Sequence, residues 1–174
     1  MRTQKHVAGQ TSTTTEYAMK DIQILATGPA FIKEGIRGTE PVIEDLLRQA
    51  QNEIQIMAYL FSPNAKKILK LIEKALASGV KTTIIINKLE LHDERIKKHL
   101  SRLKDEFSHL KIIDFKAKKG GHLHAKVIVV DRKKAVLGSA NFSWGGMTKN
   151  YEIGVLVEGE PAWKLAKLID DLTY

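Results

Sequence analysis

The sequence predicts an α/β fold, a mixed β-sheet flanked by helices on both faces. Three observations predict it. Strand-like and helix-like periodicities alternate along the chain: strand, helix, strand, helix, strand, helix, then several strands and a last helix. The length of 174 residues suits one domain with a proper core. A hairpin pattern after residue 124 adds antiparallel pairs, so the sheet should be mixed.

Residues 1–20 are polar, with four threonines between Thr11 and Thr15. They show no useful period and read as a flexible N-terminal arm, with residues 21–174 as the folded domain. Ile22 to Ala26 reads as a first strand, and Gly28, Pro29, Gly35 and Gly38 mark the loop after it. Thr39, Glu40 and Pro41 begin a helix, with Ile43, Leu46, Leu47 and Ala50 on one face. Glu53 to Phe61 is a strand. Ser62 and Pro63 open a helix whose buried stripe is Ala65, Ile68, Leu69, Ile72, Ala75 and Leu76. Lys66, Lys67, Lys70 and Lys74 fall off that stripe and read as a solvated face before a set of phosphate contacts.

Ser78-Gly79 ends the helix, and Val80 to Asn87 is a strand in which Ile84 to Ile86 reads as buried on both faces. Leu91 to Phe107 reads as helix and Leu110 to Phe115 as strand. His92, His99 and His109 lack a ligand pattern and read as surface or packing residues, so no metal site is expected. Lys116, Lys118 and Lys119 with Gly120 and Gly121 form a basic loop suited to gripping a backbone phosphate. His122 follows it and is given no chemical role.

The stretch from Gly121 to Glu152 carries the chemistry. His124 to Val130 reads as a strand, so His124 and Lys126 share a face. Residues 131–134 turn, and Ala135 to Leu137 returns, bringing Ser139 and Asn141 toward the histidine. A neutral imidazole is a nucleophile near neutral pH. Lys126 offers fixed positive charge and Asn141 a neutral donor for phosphate oxygens. Ser139 could donate to the same oxygens or hold the imidazole, and Glu152 could accept from its second nitrogen. Phe142 and Trp144 could stack on bases, although burial is the commoner fate. Gly145 and Gly146 read as a mobile loop. Tyr151 to Val157 is the last strand, and Glu160-Pro161 begins the closing helix.

The pattern His124-x-Lys126-x4-Asp131-x6-Gly138-Ser139-x-Asn141 resembles the HKD signature of the phospholipase D superfamily, and Glu152 resembles its supporting glutamate. Asp131 sets it apart from the tyrosyl-DNA phosphodiesterase branch. The stretch from Ile54 to Ser62 is similar to the strand before the first long helix of single-motif bacterial nucleases. The resemblance spans roughly residues 22–174. It implies structural roles for Asp131, pairing with charge at the hairpin, and for Gly138. It implies no cofactor and no metal. Because the motif occurs once, it also implies a homodimer with the active site on its two-fold axis. One His124 would attack phosphorus, the other would protonate the leaving oxygen, and a phosphohistidine would be hydrolysed in a second step.

The formal net charge of +8 favours a polyanionic partner. Nucleic acid, DNA before RNA, leads. A phospholipid hydrolase or transphosphatidylase would use the same residues, and a catalytically idle nucleic-acid-binding module is the third reading. No span long enough for stable membrane insertion and no amphipathic membrane helix is seen. There is no cysteine, and no signal peptide is visible, which favours the cytoplasm while leaving a processed secreted or periplasmic form open.

Overall fold

The computed structural model describes residues 22–32, 35–117 and 119–173. The expected N-terminal arm and Lys118 lie outside the described residues. Eight strands form one mixed sheet, as expected. They are β1 (Ile22–Thr27), β2 (Arg37–Gly38), β3 (Glu53–Ala58), β4 (Lys81–Asn87), β5 (Leu110–Phe115), β6 (Lys126–Val130), β7 (Lys134–Gly138) and β8 (Glu152–Glu158). Their spatial order is β2-β1-β8-β7-β6-β3-β4-β5. The β3, β4 and β5 strands run parallel, and β6 lies antiparallel to β3. From β6 through β7 and β8 to β1 all pairs are antiparallel.

The helices are α1 (Pro29–Ile32), α2 (Thr39–Gln49), α3 (Lys66–Ala77), α4 (Glu94–Glu106) and α5 (Glu160–Asp171). Two cores follow from the alternation of each strand. Ile54, Ile56, Ile84, Ile86, Ile128 and Val136 pack on one face beneath α2, α3 and α4. Met57, Ile85, Val127, Val129 and Ala135 pack on the other beneath α5. Strands buried on both faces need continuous apolar runs, which explains the isoleucines of β3 and β4.

The α5 helix covers only part of the second face. A row of paired residues crosses the sheet there from β1 to β5: Ile24, Val155, Leu137, Val127, Met57, Ile85 and Ile113. Its Ile24 end is 50 % exposed, as are neighbouring Ile22 (56 %) and Ile153 (58 %). Trp163 and Leu168 are also exposed on α5.

Several boundaries differ from expectation, and α3 starts at Lys66 rather than at Ser62-Pro63. The α4 helix starts at Glu94 rather than at Leu91, because the Asp93 carboxylate accepts from the Arg95 backbone N–H and caps it. Residues 89–91 form a separate 3-10 turn. The β3 strand stops at Ala58, three residues early, and β6 begins at Lys126, leaving His124 just before the strand. Gly145–Lys149 forms a helical turn of π type in place of a mobile loop. It closes tightly, since a Cβ on Gly146 would overlap the Asn141 backbone.

Candidate active site

The β6 strand pairs with β3 so that Lys126 lies opposite Ala58. That register places Tyr59, the next residue of the chain, beside His124. The two rings are 4.5 Å apart and tilted by 55°. Lys126 is 7 % exposed, while His124 is open to solvent. The Lys126 Nζ donates to the His124 backbone carbonyl at 2.7 Å and lies 3.0 Å from the ring Nδ1. It also stands 5.1 Å from the centre of the Tyr59 ring, a cation–π contact. Burial pushes the Lys126 ammonium below the ordinary lysine value, and the charge of Glu152 partly opposes that.

Tyr59 was not singled out in the sequence. Nothing in a single strand signals it, because its partner comes from a distant segment through sheet register. His122, also exposed, meets the edge of the same ring at 6.3 Å.

The returning strand β7 delivers Ser139. Its hydroxyl donates to the Glu152 carboxylate, which also accepts from Asn150 Nδ2 at 3.1 Å. Ser139 Oγ in turn accepts from the Ile153 backbone N–H. Among the described residues, Glu152 holds Ser139 and Asn150 and makes no hydrogen bond to the imidazole. Gly138 is needed for close approach: a Cβ there would stand 2.6 Å from the Ile153 carbonyl oxygen. Asn141 is half-buried, and its Oδ1 is shut from solvent without a partner. No hydrogen bond joins Asn141 or Ser139 to His124 or Lys126 among the described residues.

Asp131 lies at the far end of β6, roughly 16 Å from the site along the strand. Its carboxylate accepts from the backbone N–H groups of Gln51, Asn52 and Glu53 at 3.0, 2.7 and 2.8 Å. Its hydrogen-bond partners are these backbone amides rather than a charged side chain. Burial raises its pKa, and the three amides more than offset this, so the net direction is down. Arg132, beside it, forks to Glu53 at 2.7 Å and to Asp170 of α5 at 2.8 Å.

The basic loop is less free than its composition implied. Lys116 pairs with Asp114 at 3.1 Å and lies 3.6 Å from Glu90. Lys119 is exposed. Phe142 is buried and stacks on Phe61 with centroids 5.0 Å apart, whereas Trp144 is 54 % exposed. His92 and His109 bond to backbone carbonyls, as packing histidines do. Among the described residues, no cluster of three or more His, Asp or Glu side chains is placed to hold a metal ion. No helix among them is long and apolar enough to cross a membrane.

Known proteins resemble this chain in sequence and in fold. The family described as "Cardiolipin synthase, PLD-like domain" matches residues 43–172. The DISARM protein DrmC of Bacillus paralicheniformis is 37 % identical over 141 residues, 80 % of this chain and 58 % of that protein. Cardiolipin synthase A of Buchnera aphidicola subsp. Schizaphis graminum is 32 % identical over 142 residues, 79 % of this chain. The match spans only 27 % of the synthase. Among solved structures, the phospholipase D family member Nuc of Salmonella typhimurium superposes with a TM-score of 0.69 at 24 % identity. That alignment covers 86 % of this chain and 91 % of Nuc. NucT of Helicobacter pylori gives the same score at 21 % identity, over 87 % and 95 % of the two chains. The fold, the single HKD pattern and the family match together place this chain in the phospholipase D superfamily.

Proposed function

We propose that the chain is a phosphodiesterase that cleaves nucleic acid, DNA in preference to RNA, through a phosphohistidine formed on His124 at a site shared by two copies. The observation that carries this reading is the contact between Lys126 and the exposed His124 ring, a nucleophile and a cation side by side at an open end of the sheet. The net charge of +8 supports a polyanionic substrate.

In the first step His124 attacks phosphorus, a P–N bond forms and the P–O bond to the leaving oxygen breaks. The partner subunit's His124, protonated, gives that oxygen its proton. In the second step it takes a proton from water, the water oxygen bonds to phosphorus, and the P–N bond breaks. Two imidazolium charges at close range repel, so the pair shares one proton. Lys126 neutralises the non-bridging oxygens. Asn141 Nδ2 makes no hydrogen bond among the described residues and is available to donate to them. Ser139 and Glu152 tie β7 to β8 beneath the site.

The test is cleavage of plasmid DNA, single-stranded DNA and RNA in excess EDTA. His124→Ala should lower turnover at least about 10⁴-fold. Activity that vanishes on chelation, or survives in His124→Ala, would sink the reading. One observation favours a second substrate class, phospholipid. A groove of about 430 Å³ beside His124 has an apolar floor of Val127, Leu137 and Val155. A phosphatidyl substrate in the same panel decides between them.

A further inference from the structure

A second groove, of about 640 Å³, opens between α3 and α4. Lys66 and Lys70 line it from α3, with Pro63 on its wall and Leu69 and Ile96, 7 % and 1 % exposed, at its apolar base. Its charge is unbalanced. Glu73 on its wall is engaged by Arg102 at 2.7 Å, and Arg95 by Asp93 at 2.8 Å. Lys67 on the same helix is held by Glu40 and Glu44. Lys66 and Lys70 have no carboxylate partner among the described residues, which leaves two free cations on the groove. Burial pushes the His99 imidazole down, which disfavours a charge on that ring.

Both walls lead back to the candidate active site. Pro63 follows Tyr59, the ring on His124, by four residues, at most about 14 Å of chain. The α4 helix follows β4, whose Asn87 Oδ1 accepts from the Leu123 backbone N–H, next to His124, at 2.9 Å. The groove therefore opens at the carboxyl ends of the parallel strands, where α/β sheets accept ligands.

We infer that this groove holds a single strand of nucleic acid continuing from the site, with Lys66 and Lys70 on its phosphates and its unstacked bases over the apolar floor. The inference rests on the nuclease reading. A duplex shows phosphates outward and would leave that floor unused, whereas unpaired bases cover it.

The test uses His124→Ala protein, which leaves the strand uncut, and a labelled single strand of about 15 nucleotides. Adding Lys66→Glu and Lys70→Glu should raise Kd at least about tenfold and flatten the salt slope by about 1.4 log units per log unit of salt. In an otherwise parental chain the same pair should leave turnover of bis(p-nitrophenyl) phosphate within about twofold. The charge-matched pair Lys81→Glu and Lys133→Glu, away from the groove, should weaken binding far less. An unchanged Kd, an equal loss from the control pair, or a loss for duplex as large as for single strand would overturn the inference. A parental protein that hydrolyses no diester sinks the phosphodiesterase reading instead, because the binding measurement needs no turnover.

Discussion

Lys126 keeps an ammonium where burial disfavours it, and the nearby Glu152 carboxylate offsets part of that burden. The sign follows directly. Glu152→Gln removes a negative charge, so the Lys126 pKa falls further and its proton leaves at lower pH. The alkaline limb of the pH–rate profile on a chromogenic diester should move to lower pH. A limb that stays in place would separate Glu152 from Lys126. Tyr59 makes a second residue-level prediction. Its ring is packed on His124 and receives the Lys126 charge. Tyr59→Ala should cut kcat about tenfold with KM little changed, while Tyr59→Phe, which keeps the ring, should restore it. Equal losses in both variants would point to the hydroxyl instead. His124 and Lys126 were legible because two-residue spacing and chemistry coincide. Tyr59 was not, because only the pairing of Ala58 with Lys126 puts it there. The bonds of Glu152 to Ser139 and Asn150 are hidden for the same reason, since sequence gives candidates for a hydrogen bond without their distances.

At the scale of elements, the β6–β7 turn explains how the motif's aspartate is used. Asp131 and Arg132 both have positive φ, 52° and 56°, as the central residues of a type I′ turn do. Asparagine and glycine usually fill such positions, so alternation announced the hairpin while its turn residues did not. The left-handed backbone aims the Asp131 carboxylate at the chain entering β3 and the Arg132 guanidinium at α5. Asp131→Ala should cost about 2 kcal/mol, lowering Tm by roughly 4–8 °C. The folded pKa of Asp131 is depressed, so its contribution is present above the unfolded carboxylate value of about 3.9 and is lost as pH falls through the folded value. The stability gap between parent and variant should therefore close in acid. A gap that persists once the carboxylate is protonated would mean that packing, not charge, is lost. Helix existence was readable from apolar stripes. The start of α4 was not, because one cap outranked the stripe.

The whole molecule presents an asymmetric sheet: α2, α3 and α4 cover one face, and α5 covers part of the other. The α/β class was legible from the alternation of periods. Strand order was not, because β6 inserts between β3 and β7 through long-range pairing. The open row ending at Ile24, with Ile22 and Ile153 beside it, borders the groove that reaches His124. This is the surface a second copy would cover if two sites combine. The parent should sediment as a dimer at micromolar concentration. Ile24→Glu with Ile153→Glu should sediment as a monomer, keep its circular dichroism and lose turnover. An active monomeric parent would end the shared-site account.

The pairing of β1 with β8 and of β3 with β6 also governs how the chain is made. During synthesis the first half emerges with β3 lacking the neighbour that will shield one of its margins, and β1 waits for the last strand to appear. A ribosome stalled before residue 126 would hold a bare, isoleucine-rich ribbon edge, a template for pairing with other nascent chains. Truncated products should accordingly be recovered in inclusion bodies or bound to chaperones, whereas the full chain seals both margins within itself.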